Sequence, residues 1–139
     1  MIEKKFVFKP KNIVNLQDGS ISWQSPSNIA LVKYWGKTEP QIPKNSSISF
    51  TLSNCHTTTT LHYSLKQNPS KSFDFKVFFE GEEKNSFRPK IESFFSRILD
   101  YVPFITDYRF DIVTENSFPH SSGIASSASG MSALALCLM

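Results

Sequence analysis

The sequence predicts a single mixed α+β domain, and three observations lead to that prediction. The chain has 139 residues and a mass of 15.8 kDa, which is enough for one domain with its own core. Apolar residues make up 40% of the chain and charged residues 19%, an ordinary globular composition that excludes a disordered or fibrous protein. Alternating apolar residues, typical of strands, occur together with one clear helical period.

The first half of the chain carries most of the strand-like segments. Residues 19–23 alternate between apolar and polar as a half-buried strand does, and we expect Pro26 to end that strand. Ser27 is a candidate N-cap for the short run 28–37, in which Gly36 marks a turn. Two further strands are predicted in segments rich in Thr, Ile, Phe and Tyr, namely 47–53 and 57–65.

The second half combines a hairpin arm with the clearest helix. Residues 73–80 alternate between apolar and polar positions, and Gly81 is expected to turn the chain there. Between residues 88 and 101 the apolar side chains recur at spacings of three and four, which predicts an amphipathic helix. Ser86 is its expected N-cap and Pro103 its stop.

A strand, a loop and a last helix complete the predicted order. Residues 108–112 alternate as in a strand, residues 115–122 form a loop, and a helix of small residues starts at about Ile124. We expect the chain to be the N-terminal part of something longer and its apolar end to need a partner surface, because that helix shows no stop signal. The apolar residues of that end are Leu134, Leu136, Leu138 and Met139.

Charge, cysteine content and hydropathy restrict the class of protein. A net charge of +3 and a pI near 8.9 suit an anionic ligand without by themselves indicating nucleic acid. Cys55 and Cys137 form neither a CxxC pair nor a disulfide framework, which indicates a reduced cytoplasmic protein without a cysteine metal site. Residues 124–139, the most apolar stretch, are too short and too polar to cross a bilayer, so no membrane is expected.

The strongest local signal for chemistry is the segment 116–130, which concentrates Gly, Ser and Ala between a predicted strand and a predicted helix. A polyphosphate placed there would meet unpaired backbone N–H groups and the positive end of the helix dipole. The hydroxyls of Ser126, Ser127 and Ser129 add donors, and Ser127 is a candidate ligand for Mg²⁺. The segment is neither a Walker A loop nor a GxGxxG loop. The alternative is a Ser-rich helix start that caps itself and packs through small residues.

A second cluster, residues 33–37, places two lysines four residues apart around a Tyr-Trp pair. Lys33 and Lys37 present positive charge to an anion, assisted by the Tyr34 hydroxyl and the backbone at Gly36. The alternative is a surface turn with solvated lysines and a buried Trp35.

Three blocks together, residues 25–37, 43–53 and 116–130, resemble the mevalonate diphosphate decarboxylase family of the GHMP kinase superfamily. The pattern from Pro119 to Ala128 resembles the loop with which that superfamily holds ATP phosphates. The block Ile-Ala-x-x-Lys-Tyr-Trp-Gly-Lys is the feature that separates the decarboxylases from the small-molecule kinases. The blocks occur in the family's order and cover almost the whole chain.

The resemblance implies a fold, a reaction and partners. The fold is the ribosomal protein S5 domain 2-like fold, with residues 1–139 as the N-terminal part of a GHMP kinase-like domain and the C-terminal domain absent. The reaction depends on ATP and Mg²⁺, and it phosphorylates the tertiary hydroxyl of mevalonate 5-diphosphate. Loss of phosphate and CO₂ then gives isopentenyl diphosphate, a step of isoprenoid biosynthesis. The expected partners are these two substrates and a second copy of the chain.

The resemblance also implies roles for individual residues. Lys33 matches the family lysine that lies beside the reacting hydroxyl and the catalytic aspartate. The substrate-binding residues are Tyr34, Trp35, Gly36 and Lys37. The ATP-binding residues are Ser122, Gly123, Ala125, Ser126, Ser127 and Ser129. The family's catalytic aspartate and its substrate-binding arginine lie further along than residue 139, so we expect the 139 residues alone to lack turnover.

Two other functions stay open on the sequence. A related GHMP kinase would phosphorylate the same hydroxyl without decarboxylation. A non-catalytic RNA-binding module would share the fold, but no aromatic strip interleaved with arginine is present, so nucleic acid is not expected. His120 beside Ser121 and Ser122 has the residue types of a nucleophile and its base, although neighbours in sequence do not make a triad.

Overall fold

Two long antiparallel strands form the edge of the main sheet. The structure, a computed structural model, describes residue 7 and residues 18–39, 42–68 and 70–139. Strand β1 spans Gly19–Val32 and strand β4 spans Ile48–Leu65, and they pair from Gly19 opposite Tyr63 to Val32 opposite Ile48. Between them, β2 (Lys37–Thr38) and β3 (Ile42–Pro43) form a small separate hairpin.

The rest of the sheet comes from a parallel pair with a helical connection. Strand β5 spans Asp74–Phe79, β6 spans Glu82–Glu83 and β7 spans Tyr108–Asn116. The five strands lie in the order β1-β4-β7-β5-β6, with β5 parallel to β7. Helix α1 (Arg88–Ile98) connects these two parallel strands, and helix α2 (Ser126–Cys137) follows β7.

One face of the sheet carries both helices and the core. Alternate residues of β5 and β7 point into a single buried cluster that also includes residues of α1 and α2. At its centre, Phe95 of α1 is fully buried and stacks against Phe73, Phe75 and Phe110 at centroid distances of 5.5, 5.3 and 6.2 Å. No helix in the described ranges has the length and apolar character needed to span a membrane.

The predicted α+β class is confirmed, and the hairpin arm and α1 form close to their predicted positions. The turn at Glu80 and Gly81 has positive φ at both residues, 51° and 85°. Helix α1 begins at residue 88 as predicted but ends at Ile98 rather than residue 101. The prediction of Ser86 as N-cap is wrong, because residues 85–87 form a short 3-10 helix and Phe87 takes the cap position without a side-chain hydrogen bond.

The predicted end of the first strand is wrong, and so is the short helical run after it. Strand β1 continues through Pro26 to Val32. Strand β1 lies at the edge of the sheet, and its register shifts between Pro26 and Asn28. The proline, which has no N–H, is therefore tolerated there without the loss of hydrogen bonds between inner strands. The two strands predicted at 47–53 and 57–65 form the single strand β4, since its first half pairs with the extension of β1.

Two leucines at the apolar end of the chain are covered by the chain itself. Leu134 and Leu138 are only 2% and 5% exposed, so the expected need for a partner surface is wrong for these two, whereas Met139 is 97% exposed. The reason is that the apolar side of α2 packs against β1 and β4. Cys137 lies in this contact, where its thiol donates to the Thr59 carbonyl over 3.3 Å and burial raises the pKa of the thiol.

Candidate functional site

The loop of residues 117–125, which joins β7 to α2, turns through left-handed backbone. Ser121, Gly123 and Ala125 have φ values of 63°, 83° and 59°. Ala125 is the N-cap of α2 and makes no side-chain capping bond. A non-glycine residue in this conformation costs about 1–2 kcal/mol, so contacts with the rest of the protein must impose the shape of the loop.

The start of the loop is tied to β4. The Ser117 N–H donates to the His56 carbonyl over 2.9 Å, and the Ser117 hydroxyl accepts the His56 N–H, also at 2.9 Å. The same hydroxyl donates to the Asn54 carbonyl over 3.1 Å. Phe118, the next residue, is only 8% exposed. These contacts fix where the chain leaves the sheet.

The end of the loop is tied to β1 by Ser27. This side chain is fully buried, and its hydroxyl donates to the Ile124 carbonyl. Ser27 lies where the register of β1 shifts, so its side chain reaches the loop instead of capping a helix. Sequence reasoning missed this role. The available signal was a small polar residue directly after a proline, a pattern that fits a bulge as well as a helix start.

Ser129 belongs to a buried hydroxyl network rather than to the open part of the loop. It is 2% exposed, and its hydroxyl lies 2.6 Å from that of Thr57 and 3.1 Å from the Ser126 carbonyl. Thr57 in turn donates to the Asn116 side-chain oxygen over 2.7 Å. The Ser129 N–H donates to the Ala125 carbonyl over 3.3 Å. The helix therefore turns the Ser129 hydroxyl toward β4, and a contact between Ser129 and a ligand stays a prediction.

Ser126 and Ser127 occupy the first two positions of α2. The N–H groups of Ala128 and Ser129 donate to the Ala125 carbonyl, whereas those of Ser126 and Ser127 precede the first acceptor within the helix. Ser127 is exposed and Ser126 half-buried. Ser122 and Gly123 are also exposed, and no heavy atom lies within 4 Å of the position that a Gly123 side chain would take. The loop and the first turn of α2 therefore present an accessible surface.

A cavity of about 140 Å³ opens beside the first turn of α2. Its wall is mostly apolar, and the residues at its polar side include Asn116, His120, Ser126 and Ser127. A groove of about 480 Å³ runs along the 80–86 turn and shares Phe79, Phe87 and His120 with the cavity. The Asn116 side-chain nitrogen is buried and has no partner among the described residues, so it offers a donor at the cavity wall.

Residues 33–37 form an exposed turn ahead of the small hairpin. Trp35 is 89% exposed, which rules out the buried Trp of the structural alternative. The Lys37 ammonium lies 5.3 Å from the centre of the Tyr34 ring, a cation–π distance. Gly36 has a φ of 135°, which only glycine adopts easily.

Asn45 holds this turn, a role that the sequence analysis did not assign to it. Its side-chain oxygen accepts the Trp35 N–H at 2.7 Å, and its amide nitrogen donates to the Lys33 and Ser46 carbonyls over 3.4 and 2.8 Å. An Asn in a polar stretch is typical of turns in general. Only the structure shows which backbone groups it binds.

Strand β1 connects the loop 117–125 with the turn at residues 33–37. Ser27 contacts the loop from β1, and Lys33 follows six residues later, which corresponds to about 20 Å of extended chain. Of the loop residues predicted to bind ATP, Ser126 and Ser127 line the cavity, whereas Ser122, Gly123 and Ala125 are exposed. In the turn, the structure brings the Lys37 ammonium to the Tyr34 ring. In residues 18–39, 42–68 and 70–139, no group of three His, Cys, Asp or Glu side chains is placed to hold a metal ion.

Comparison with known protein families gives one match over most of the chain. The family model described as the diphosphomevalonate decarboxylase-like N-terminal domain matches residues 25–139. Among curated relatives, diphosphomevalonate decarboxylase of Bos taurus is 30% identical in an alignment 132 positions long, which covers 85% of this chain and 32% of the relative. The chain thus spans about a third of the length of the curated relatives it matches.

Solved structures agree with this match and with the fold. Mevalonate diphosphate decarboxylase from Staphylococcus aureus superposes with a TM-score of 0.71 at 30% identity, covering 88% of this chain and 36% of that one. A structure of MDDEF in complex with MVAPP, AMPPCP and magnesium superposes with a TM-score of 0.67 at 32% identity, covering 86% of this chain and 36% of that one. These likenesses confirm the expected N-terminal GHMP-type fold.

Proposed function

Since the chain belongs to the diphosphomevalonate decarboxylase-like family, we propose that it forms the N-terminal part of an ATP-dependent enzyme that converts mevalonate 5-diphosphate into isopentenyl diphosphate. In this proposal residues 1–139 belong to one GHMP kinase-like domain. The loop 117–125 with the first turn of α2 takes the ATP phosphates, and residues 33–37 take the substrate. The reaction uses the γ-phosphate to turn a poor leaving group, a tertiary hydroxyl, into phosphate, after which the carboxylate leaves as CO₂.

The single observation that carries the nucleotide assignment is the accessible pair of amides at the start of α2. The N–H groups of Ser126 and Ser127 have no acceptor within the helix, and a cavity opens beside them. Phosphate oxygens satisfy such donors and interact favourably with the helix dipole. Gly123 has open space around it, which allows phosphates to approach the backbone closely.

A magnesium ion fits this site only as a companion of the nucleotide. The described residues supply hydroxyls of Ser126 and Ser127 but no carboxylate cluster. Mg²⁺ commonly keeps several waters and binds through substrate phosphates with one or two protein ligands. We assign Ser127 as that ligand, and the ion would offset the negative charge of the phosphates. The magnesium and AMPPCP, an ATP analogue, in the matched complex support this assignment.

The cation pair at residues 33–37 supports the substrate side. Lys33 and Lys37 flank an aromatic pair and give this turn two positive charges, which suit the diphosphate and carboxylate of the substrate. Lys37 stands over the Tyr34 ring, which restricts its ammonium without burying it. The role of Lys33 in this proposal is to stabilise charge at the reacting hydroxyl.

Binding of MgATP to the 139-residue chain tests the nucleotide assignment. We expect measurable binding by isothermal titration calorimetry, and binding weaker by more than about a hundredfold in the double variant Ser126→Ala/Ser127→Ala, because each hydroxyl contributes a hydrogen bond to a charged group. Ser132→Ala, an exposed serine on the same helix, is the matched control and should bind as the unmodified chain does. No measurable binding by the unmodified chain would contradict the nucleotide assignment, and equal affinity in the double variant would contradict the role of the two hydroxyls.

Turnover is a separate question from binding. The chain spans about a third of its relatives, and the resemblance places the catalytic aspartate and substrate-binding arginine in the part of the family that it does not match. We expect no ADP release from MgATP and mevalonate 5-diphosphate by the 139-residue chain in a coupled assay.

The free thiols Cys55 and Cys137 fit the proposed cytoplasmic location. The proposed homodimer is tested by light scattering.

A further inference from the structure

Three aromatic rings from three different elements meet above the cavity. The His120 imidazole lies 4.9 Å from the Phe79 ring and 5.9 Å from the Phe87 ring, and the two phenyl rings are 5.6 Å apart. Phe79 ends β5, Phe87 precedes α1, and His120 belongs to the loop 117–125. This three-ring cluster is the contact that connects the middle of the loop to the β5–α1 side of the sheet.

The middle of the loop 117–125 needs a contact of this kind to keep one conformation. Its two ends are fixed by Ser117 and Ser27, but Ser121, Ser122 and Gly123 between them are exposed. Ser121 also holds a left-handed conformation that an L-residue does not favour. Tilted ring pairs of this kind are stabilising beyond the area that they bury, and this stabilisation helps to offset the strain of such a residue.

We propose that His120 is a positioning residue, whose ring holds the loop 117–125 in the shape that receives phosphate. This inference rests on the proposed nucleotide function. A loop that is already in its binding shape avoids an ordering cost when the ligand arrives, whereas a loop that adopts this shape only part of the time binds more weakly by that fraction. The imidazole acts through its tilted contacts with the two phenyl rings, so another aromatic ring at residue 120 should serve as well.

Three variants of the 139-residue chain test this role. His120→Ala removes the ring, His120→Phe keeps an aromatic ring, and His62→Ala removes an exposed histidine on β4 as the matched control. We expect MgATP binding to weaken by roughly three- to tenfold in His120→Ala, which corresponds to the loss of one or two ring pairs. His120→Phe and His62→Ala should bind within about twofold of the unmodified chain, and that margin is far below one tenfold step.

A measurement without nucleotide separates this inference from the proposed function. Amide hydrogen exchange at residues 121–125 should accelerate in His120→Ala and stay unchanged in His120→Phe, with equal melting temperatures for both. If the unmodified chain does not bind MgATP, the proposed function fails and the exchange result alone decides the role of His120. Unchanged exchange in His120→Ala, or equal acceleration in His120→Phe, would overturn the inference.

Discussion

The loop 117–125 and the turn at residues 33–37 contrast in how the protein holds them. The loop is attached to β4 through Ser117, to β1 through Ser27 and to the core through Phe118, which is buried. The turn rests on the side chain of Asn45 and on the stacking of Lys37 over a tyrosine, and its tryptophan is almost fully exposed. The loop is thus anchored at its ends by buried side chains, whereas the turn is held by exposed contacts.

This difference indicates that the free energy spent on ordering the protein during ligand binding differs between the loop and the turn. A loop fixed by buried contacts is pre-organised, so a ligand there loses little affinity to ordering the protein. In the exposed turn, an anion that binds must order the long side chain of Lys33, at about 0.5–1.5 kcal/mol. We therefore expect nucleotide binding to depend on the core, and substrate binding to depend on local contacts at the turn.

The largest expected effect is a difference in the free energy of unfolding between two alanine variants. One variant removes a buried ring from the loop, and the other removes an exposed ring from the turn. Phe118→Ala should lower the free energy of unfolding by about 3–5 kcal/mol, because it empties a filled core position. Trp35→Ala should change it by less than about 0.5 kcal/mol, as is usual for an exposed residue. Urea denaturation followed by circular dichroism measures both. A Trp35→Ala loss as large as that of Phe118→Ala would remove the distinction between the regions.

A smaller effect is expected at the hydroxyl that joins β1 to the loop. Ser27→Ala leaves the Ile124 carbonyl without its donor and should cost about 1–3 kcal/mol, the range for an unsatisfied buried polar group. Hydrogen exchange should accelerate at residues 122–126 more than in β5. Ser20→Ala, an exposed serine on the same strand, is the control and should leave both quantities unchanged. If the two variants behave alike, Ser27 does not support the loop.

The smallest effect is expected at the turn itself. Asn45→Ala removes the acceptor of the Trp35 N–H, and amide exchange at Trp35 should accelerate about fivefold, which corresponds to one hydrogen bond of about 1 kcal/mol. The free energy of unfolding should not change, because the bond is exposed. Asn45→Asp keeps the acceptor and should retain slow exchange at Trp35. Faster exchange in both variants would show that another group holds this amide.

The sequence predicted the elements whose signals are local. The period of α1 depends on side chains three and four residues apart, and the left-handed turn at Glu80 and Gly81 follows from the glycine. The Gly- and Ser-rich block before α2 also signals an open helix start by itself, so Ser126 and Ser127 could be identified as candidates. In each case the information needed lies within a few neighbouring residues.

Features that depend on distant partners could not be predicted. Residues 28–32 extend β1 because residues 48–51 pair with them, and no local pattern reveals this pairing. The packing role of Ser129 depends on Thr57, which is 72 residues away. Asn45 binds the backbone of a segment ten residues earlier, and His120 meets two rings from other elements. These contacts arise from tertiary structure, which outweighs local preference.

Strand β1 supports the loop at Ser27 and leads into the turn at Lys33. The number of residues between Ser27 and Lys33 therefore sets the position of the lysine relative to the loop. Each added or deleted residue would move the lysine by about 3.3 Å and turn the following side chains to the opposite side of the sheet. This stretch should therefore accept many replacements of one amino acid by another while rejecting any change of its length.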